Sequence, residues 1–314
     1  MSIAVLGKAA DVLVEQAVLL SVRSGLPKVI IGATIVSLGT TLPEVAVSVL
    51  AAFQGSPGLA LGNAVGSIIC DTGLILGIAT IINPPPLNKD IVNRQGWLQL
   101  GSGVLLVICC LPFSNLSSTF IEGGRLPQVT GWVFMLLLGA YIYFSIRWAR
   151  NSSTQPEETI EHTDSAWPII IKLIIAAVFV IAASDILIHS ATEAARRLAV
   201  PESVIAATLV AFGTSLPELV TAISAVRRNH GEIAIGNIIG ADILNVLFVA
   251  GAAASVTPAG LIAGPHFFTT LFPGMLIILT AFRLGIFFSG KTLHRGFGFA
   301  LLGIYILISV ISYQ

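Results

Sequence analysis

Glu44 and Glu218 stand in the middle of apolar stretches, with Asp71 and Asp242 in two more and Asp11 and Asp185 in another two. A carboxylate at the centre of a bilayer costs about 2.5–3.5 kcal/mol on insertion scales, so each one needs a partner. The central turns around Glu44, Asp71, Glu218 and Asp242 hold no Lys, Arg or His. They hold other oxygens instead. Thr40 and Thr41 precede Glu44, and Thr214 and Ser215 precede Glu218, at helical spacings that put each trio on one face. Pro43 and Pro217 have no N–H to donate, which frees the carbonyls of Gly39 and Gly213 one turn earlier. In the following stretch Asn63, Ser67 and Asp71 recur every four residues, with Asn237, Ala241 and Asn245 as their counterparts. Carboxylates, hydroxyls, amides and free carbonyls are hard oxygen donors. They suit calcium and sodium, whereas zinc or copper would favour sulfur and imidazole. Asp11 and Asp185 are expected to bond locally near helix ends rather than to hold an ion.

These residues belong to an internal repeat. GTTLPE at 39–44 returns as GTSLPE at 213–218, and GNAVG at 62–66 returns as GNIIG at 236–240, both at an offset of 174. The same gap-free offset matches Asp11 to Asp185, Pro27 to Pro201, Thr34 to Thr208 and Gly77 to Gly251, and about 22 of 69 positions agree between 9–77 and 183–251. The paired GxxxG steps, Gly62 with Gly66 and Gly236 with Gly240, are expected to let a neighbouring helix approach closely.

The elements that must position these side chains are membrane helices. Hydrophobic residues make up 55% of the 314 residues and charged ones only 10%, far below the roughly 25% of a soluble domain. Apolar runs of about 20 residues match a bilayer core. The formal net charge of zero argues against a nucleic-acid partner. Cys70, Cys109 and Cys110 all fall in apolar runs and read as reduced buried thiols. No signal peptide is expected at the start, because Asp11 and Glu15 interrupt the first stretch.

Ten spans are expected, near 1–21, 28–53, 59–82, 97–113, 129–147, 166–190, 203–226, 233–256, 260–282 and 296–313. With the N-terminus outside, the inward connections hold Arg23, Lys28, Lys89, Arg94, Arg147, Arg150, Arg227, Arg228, Arg283, Lys291 and Arg295. The outward ones hold only Arg125, Arg196 and Arg197. The Lys/Arg bias therefore places both termini outside the cytoplasm. A repeat unit of five spans must enter the membrane the second time from the opposite side. The expected fold is an all-α membrane protein of ten transmembrane helices in two inverted five-helix repeats, the construction typical of secondary transporters. The first repeat covers 1–150 and the second 166–314. The polar stretch 151–165 between them reads as a cytoplasmic linker, since Glu157, Glu158, Glu161 and Asp164 lack the Gly-punctuated spacing of a calcium loop.

GTTLPE followed by GNAVGSIICD (62–71), and GTSLPE followed by GNIIGADILN (236–245), resemble the two α-repeats of the calcium/cation antiporter family, in particular its prokaryotic sodium/calcium exchangers. The resemblance covers both halves. It implies ten helices and four ion sites built by helices two, three, seven and eight. It implies ligands at Thr40, Thr41, Glu44, Ser67 and Asp71 in the first repeat and at Thr214, Ser215, Glu218 and Asn245 in the second. Two departures stand out. The family commonly reads GSN where this chain has Gly66-Ser67-Ile68 and Gly240-Ala241-Asp242. Some members also carry Asn at the Asp71 position and Asp at the Asn245 position. The exchange keeps three acids in the site and moves one to the other repeat, with Asp242 as a candidate fourth.

The function expected is therefore antiport of calcium against sodium in the inner membrane by alternating access. The partners are the two ions and the bilayer, with no cofactor and no enzymatic activity. Exchange of a divalent cation for protons, or with potassium, is the alternative. An intramembrane protease is a remote one, because His162, His189, His230, His266 and His294 lie near span ends or in loops and no nucleophile–base pair is evident.

Overall fold

The computed structural model describes residues 2–113, 115–150, 166–198 and 211–312. The 151–165 linker and the first part of the expected 203–226 span lie outside these residues. The described chain is mostly helical: α1 Ser2–Ser24, α2 Lys28–Thr40, α3 Leu42–Phe53, α4 Pro57–Ile82, α5 Lys89–Cys110, α6 Gln128–Arg150, α7 Trp167–Arg197, α8 Leu216–Arg227, α9 Gly231–Ser255, α10 Phe267–Phe288 and α11 Arg295–Ser312. Among the described residues, six helices are long and apolar enough to cross a membrane, or seven if the bent pair α2–α3 is one span.

The Pro-containing motifs break their helices where the sequence demands it. Pro43 and Pro217 each take the second position of a new helix, where no N–H is required. The residue before each new helix, Thr41 or Ser215, leaves helical geometry with ψ near zero (−1° and 6°), and α3 turns 45° from α2. The turns that follow also share the offset of 174: Gly55 and Asn229 both adopt positive φ (78° and 61°) after a helix end. Further on, α4 widens into a π-turn at Cys70–Ile75 and α9 into another at Asn245–Ala250.

The centre of the molecule is α9, buried continuously from Ile233 to Leu247. A helix buried on every side has no outward face to give to water or lipid. Its glycines make this possible. A Cβ on Gly240 would meet Ser37 Oγ at 2.6 Å as well as the Ala33 carbonyl, and one on Gly32 would meet Ile233 O at 2.6 Å and Asn237 N at 2.9 Å. Gly236 packs just as tightly on Val29. The expected close approach therefore holds for the second GxxxG step. For the first, the nearest described atom to a Cβ on Gly62 is Phe267 Cζ at 3.8 Å. At the periphery α6, α7 and α11 present Leu136, Ile174, Phe179 and Leu307 outward, as lipid-facing helices do.

Four details differ from the sequence expectation. Two three-residue strands, β1 Gly124–Leu126 and β2 Leu261–Ala263, pair antiparallel with Arg125 opposite Ile262. The expected ninth span therefore begins at Phe267 rather than 260. The fourth expected span, α5, starts at Lys89 rather than 97, because its polar residues continue the helix beyond the apolar run. Arg283, assigned to a connection, lies within α10. It is buried, stacks on Trp97 at 4.6 Å and donates to Asn93 Oδ1 at 3.2 Å. Aromatic cover lets the guanidinium stay inside the apolar run.

Candidate ion-binding site

Glu44 and Glu218 lie in the first turns of α3 and α8, immediately after the two breaks. A helix N-terminus favours a carboxylate there, and the preceding segment ends in carbonyls without helical partners. Both glutamates are 1% exposed, and all four of their carboxylate oxygens lack a hydrogen-bond partner among the described residues. Thr41, Ser215, Asp71 and Asn245 are equally buried, and each keeps an unpartnered oxygen, as does Thr214. Buried polar atoms are nearly always hydrogen-bonded, so this concentration of bare oxygens in one region calls for a ligand. Each is a hard donor. Among the described residues no Lys, Arg or His pairs with these acids.

The breaks change which side chains cooperate. On a continuous helix Thr40 would serve Glu44. Across the break it instead faces the other repeat, standing beside Glu218 and donating to Asn237 Oδ1 at 3.3 Å. Reciprocally, Thr214 stands beside Glu44 and Ser215 beside Asp71. The expectation that Thr40 shares a helix face with Glu44 is corrected accordingly: Thr40, Thr214 and Ser215 each stand beside an acid of the opposite repeat. Of the residues stepping by four, Asn63, Ser67 and Asp71, the last falls in the π-turn that starts at Cys70. Asn63 is a holder of backbone: its Nδ2 donates to Glu44 O at 3.3 Å and to Ser48 Oγ at 3.0 Å. Ser67 is buried on α4 beside the exposed Gly66.

Glu44, Asp71 and Glu218 lie close enough to act on one another electrostatically. Among the described residues, however, no three His, Cys, Asp or Glu side chains close around one point at metal-ligating distance. Each cation would therefore complete its shell with hydroxyls, amide oxygens and carbonyls, the mixed set that calcium accepts in flexible sites. Thus seven of the nine expected ligands, Thr40, Glu44, Asp71, Thr214, Ser215, Glu218 and Asn245, stand beside one another across the two repeats, with Thr41 buried at the break and Ser67 one turn before Asp71.

Sequence inspection missed Thr72 and Gln99, which bond to Asp242 behind Asp71. Gln99 sits in no motif, and nothing local marks it. Asp11 does not bond locally near a helix end as expected: it lies within α1, accepts from Ser224 Oγ at 2.6 Å and pairs with Arg228 Nε at 3.3 Å, both in the second repeat. Asp185 is exposed and pairs with His189 at 3.4 Å. The three cysteines are free thiols.

Broken helices meeting around a buried oxygen cage define a membrane ion transporter. The chain belongs to the sodium/calcium exchanger protein family, whose model matches residues 1–147 and 169–314. It is 34% identical to inner membrane protein YrbG of Escherichia coli over 306 residues, covering 95% of this chain and 90% of that protein. It is 28% identical to the sodium/calcium exchanger MaX1 of Methanosarcina acetivorans over 98% of this chain and 95% of that one. Its fold superposes on the sodium-calcium exchanger NCX_Mj, in a form soaked with sodium and without calcium, with a TM-score of 0.83 and 27% identity, covering 100% of this chain and 96% of that chain. Relatives named for an activity are exchangers or antiporters, among them MaX1 and the putative antiporter CaxA of Alkalimonas amylolytica.

Proposed function

We propose that this chain exchanges calcium for sodium across the inner membrane as a secondary antiporter working by alternating access. The observation that carries this function is the set of buried, unpartnered carboxylate oxygens on Glu44 and Glu218. Calcium and sodium compete for the same hard donors, so one ion must leave before the other is bound. An empty cage of mutually repelling acids is the state least able to close, which couples movement to occupancy. The ligands proposed are Thr40, Thr41, Glu44, Ser67 and Asp71 from one repeat and Thr214, Ser215, Glu218 and Asn245 from the other, with no resident cofactor. Membership of the exchanger family and the sodium-soaked NCX_Mj structure support these ions as substrates.

The architecture proposed is ten spans as two inverted repeats, 1–150 and 166–314, joined by a cytoplasmic linker at 151–165, with both termini outside. Pairing between connections supports it. The 85–87 segment bridges to 291–293 through Leu87 N to Lys291 O (2.7 Å) and Leu293 N to Pro85 O (3.0 Å), and β1 pairs with β2. In each case the charge count puts both segments on the same side. Reporter fusions at each end test the orientation: a cytoplasmic reporter active at either terminus overturns it.

The test of function is calcium uptake into proteoliposomes with an imposed sodium gradient, repeated with a proton gradient and with potassium present. Uptake driven by sodium alone is expected. Uptake that follows only the proton gradient, or that requires potassium, would replace sodium as sole counter-ion.

A further inference from the structure

Asp242 lies one layer behind the ion cage. It is buried on α9, and its Oδ2 accepts hydrogen bonds from the Thr72 hydroxyl and, at 2.6 Å, from Gln99 Nε2. Gln99 Nε2 also donates to Thr72 Oγ1 at 3.1 Å, which closes a triangle between α4, α5 and α9. All three side chains are fully buried.

Thr72 is the chain neighbour of Asp71, and both lie in the π-turn Cys70–Ile75. A π-turn replaces the i→i+4 bonds of the helix with i→i+5 ones, a rare arrangement found mostly as a single turn at functional sites. Adjacent residues on a helix project about a quarter-turn or more apart. When Thr72 is held by Asp242 and Gln99, Asp71 is therefore turned toward Asn245 and Ser215, where it meets the other repeat.

The internal repeat supplies a control. At the offset of 174, Asp242 corresponds to Ile68 and Thr72 to Val246, both buried. Packing at this place is thus satisfied by apolar residues in one half. The polar version stands only behind Asp71, the acid whose counterpart is the neutral Asn245. Three polar groups taken out of water for packing alone would be a poor exchange.

We infer that the Asp242–Thr72–Gln99 cluster is a positioning element that fixes Asp71 in the ion cage and thereby sets the balance between calcium and sodium. It rests on Glu44, Asp71 and Glu218 being ion ligands. α5, outside the four helices that carry the ligands, then takes part in selectivity through Gln99.

The test is equilibrium calcium binding to the purified full-length protein, with sodium as competitor, for wild type, Thr72→Val, Thr72→Ser and Gln99→Leu. Thr72→Val and Gln99→Leu are expected to change the ratio of sodium to calcium half-saturation by about threefold or more, and Thr72→Ser to restore it. A ratio that stays at the wild-type value in folded Thr72→Val overturns the inference, as does an equal loss of both affinities, the mark of a packing role only. If Thr72→Val does not fold, Asp242→Asn replaces it. Asn keeps the acceptor oxygen, so a ratio within about twofold of wild type supports positioning and a larger shift overturns it. Because the assay reads binding, wild type that binds both ions but shows no sodium-driven uptake would count against the antiport function and leave this test readable.

Discussion

Asn245 donates from Nδ2 to Asp71 Oδ2 at 3.5 Å, and the two residues are 174 positions apart, the offset of the internal repeat. Two residues at the same place in two copies thus touch each other. Two aspartates here would repel and two asparagines would carry no charge, so the Asp/Asn pair settles at one acid between them. The exchanged variant Asp71→Asn/Asn245→Asp keeps that sum and is expected to retain calcium exchange. Asp71→Asn alone lowers the charge to that of Glu44 and Glu218. Calcium binding is expected to survive in it, weakened, with a lower Hill coefficient for sodium. Sodium titrations of calcium flux check this, and an unchanged profile in Asp71→Asn would remove Asp71 from the site.

Glu44→Gln and Glu218→Gln each delete one buried charge that has no basic partner. A ligand charge is worth about 2–3 kcal/mol, so calcium affinity should fall roughly 30- to 150-fold and exchange should cease at ordinary calcium levels. The amount of folded protein should not fall, because the change also relieves repulsion. Gel filtration and calcium flux on the same preparations separate the two effects. Normal flux in either variant sinks the assignment.

Gly240→Ala forces a methyl group onto Ala33 O and Ser37 Oγ, where α9 meets α2. Overpacking of this kind costs about 1–3 kcal/mol, so thermal unfolding in detergent should shift down clearly. Gly303→Ala, on an exposed turn of α11 with nothing within 4 Å of the added carbon, should leave the transition unchanged or raise it. Equal melting of the two variants would show that the close approach is not a determinant of the fold.

His230, in the connection between α8 and α9, has its pKa lowered by burial first and then by Lys28 and Arg228, with Glu232 opposing. A folded-state value below the unfolded one, about 6.5, means the unfolded chain binds the proton more tightly. The neutral ring's stabilisation is complete above the unfolded value and is lost as the pH falls through it. Melting temperature should therefore decline below about pH 6.5, and His230→Asn should flatten that decline. A variant that follows the wild-type acid profile would show that other groups govern it.

The repeat, the membrane class and the identity of Glu44, Glu218, Thr40 and Thr214 were legible in the sequence because each is a local property. Apolar runs, acids without neighbouring bases and an ungapped offset need no third dimension. Pro43 and Pro217 likewise marked where the helices must break, since the missing N–H acts on its own turn. Partnership was not legible. That Thr40 stands beside Glu218 rather than Glu44 follows from a 45° bend at the end of α2, the helix that packs on Gly236 and Gly240 of α9. The place of Asp71 depends on a π-turn, and a π-turn is stabilised by what surrounds it rather than by its own residues. Gln99 lies 143 residues from Asp242, on a helix with no motif, and only the packing of α5 against α9 brings them together. Helix propensity and hydrophobic period act over a few residues, whereas the contacts that make this site form between segments more than a hundred residues apart.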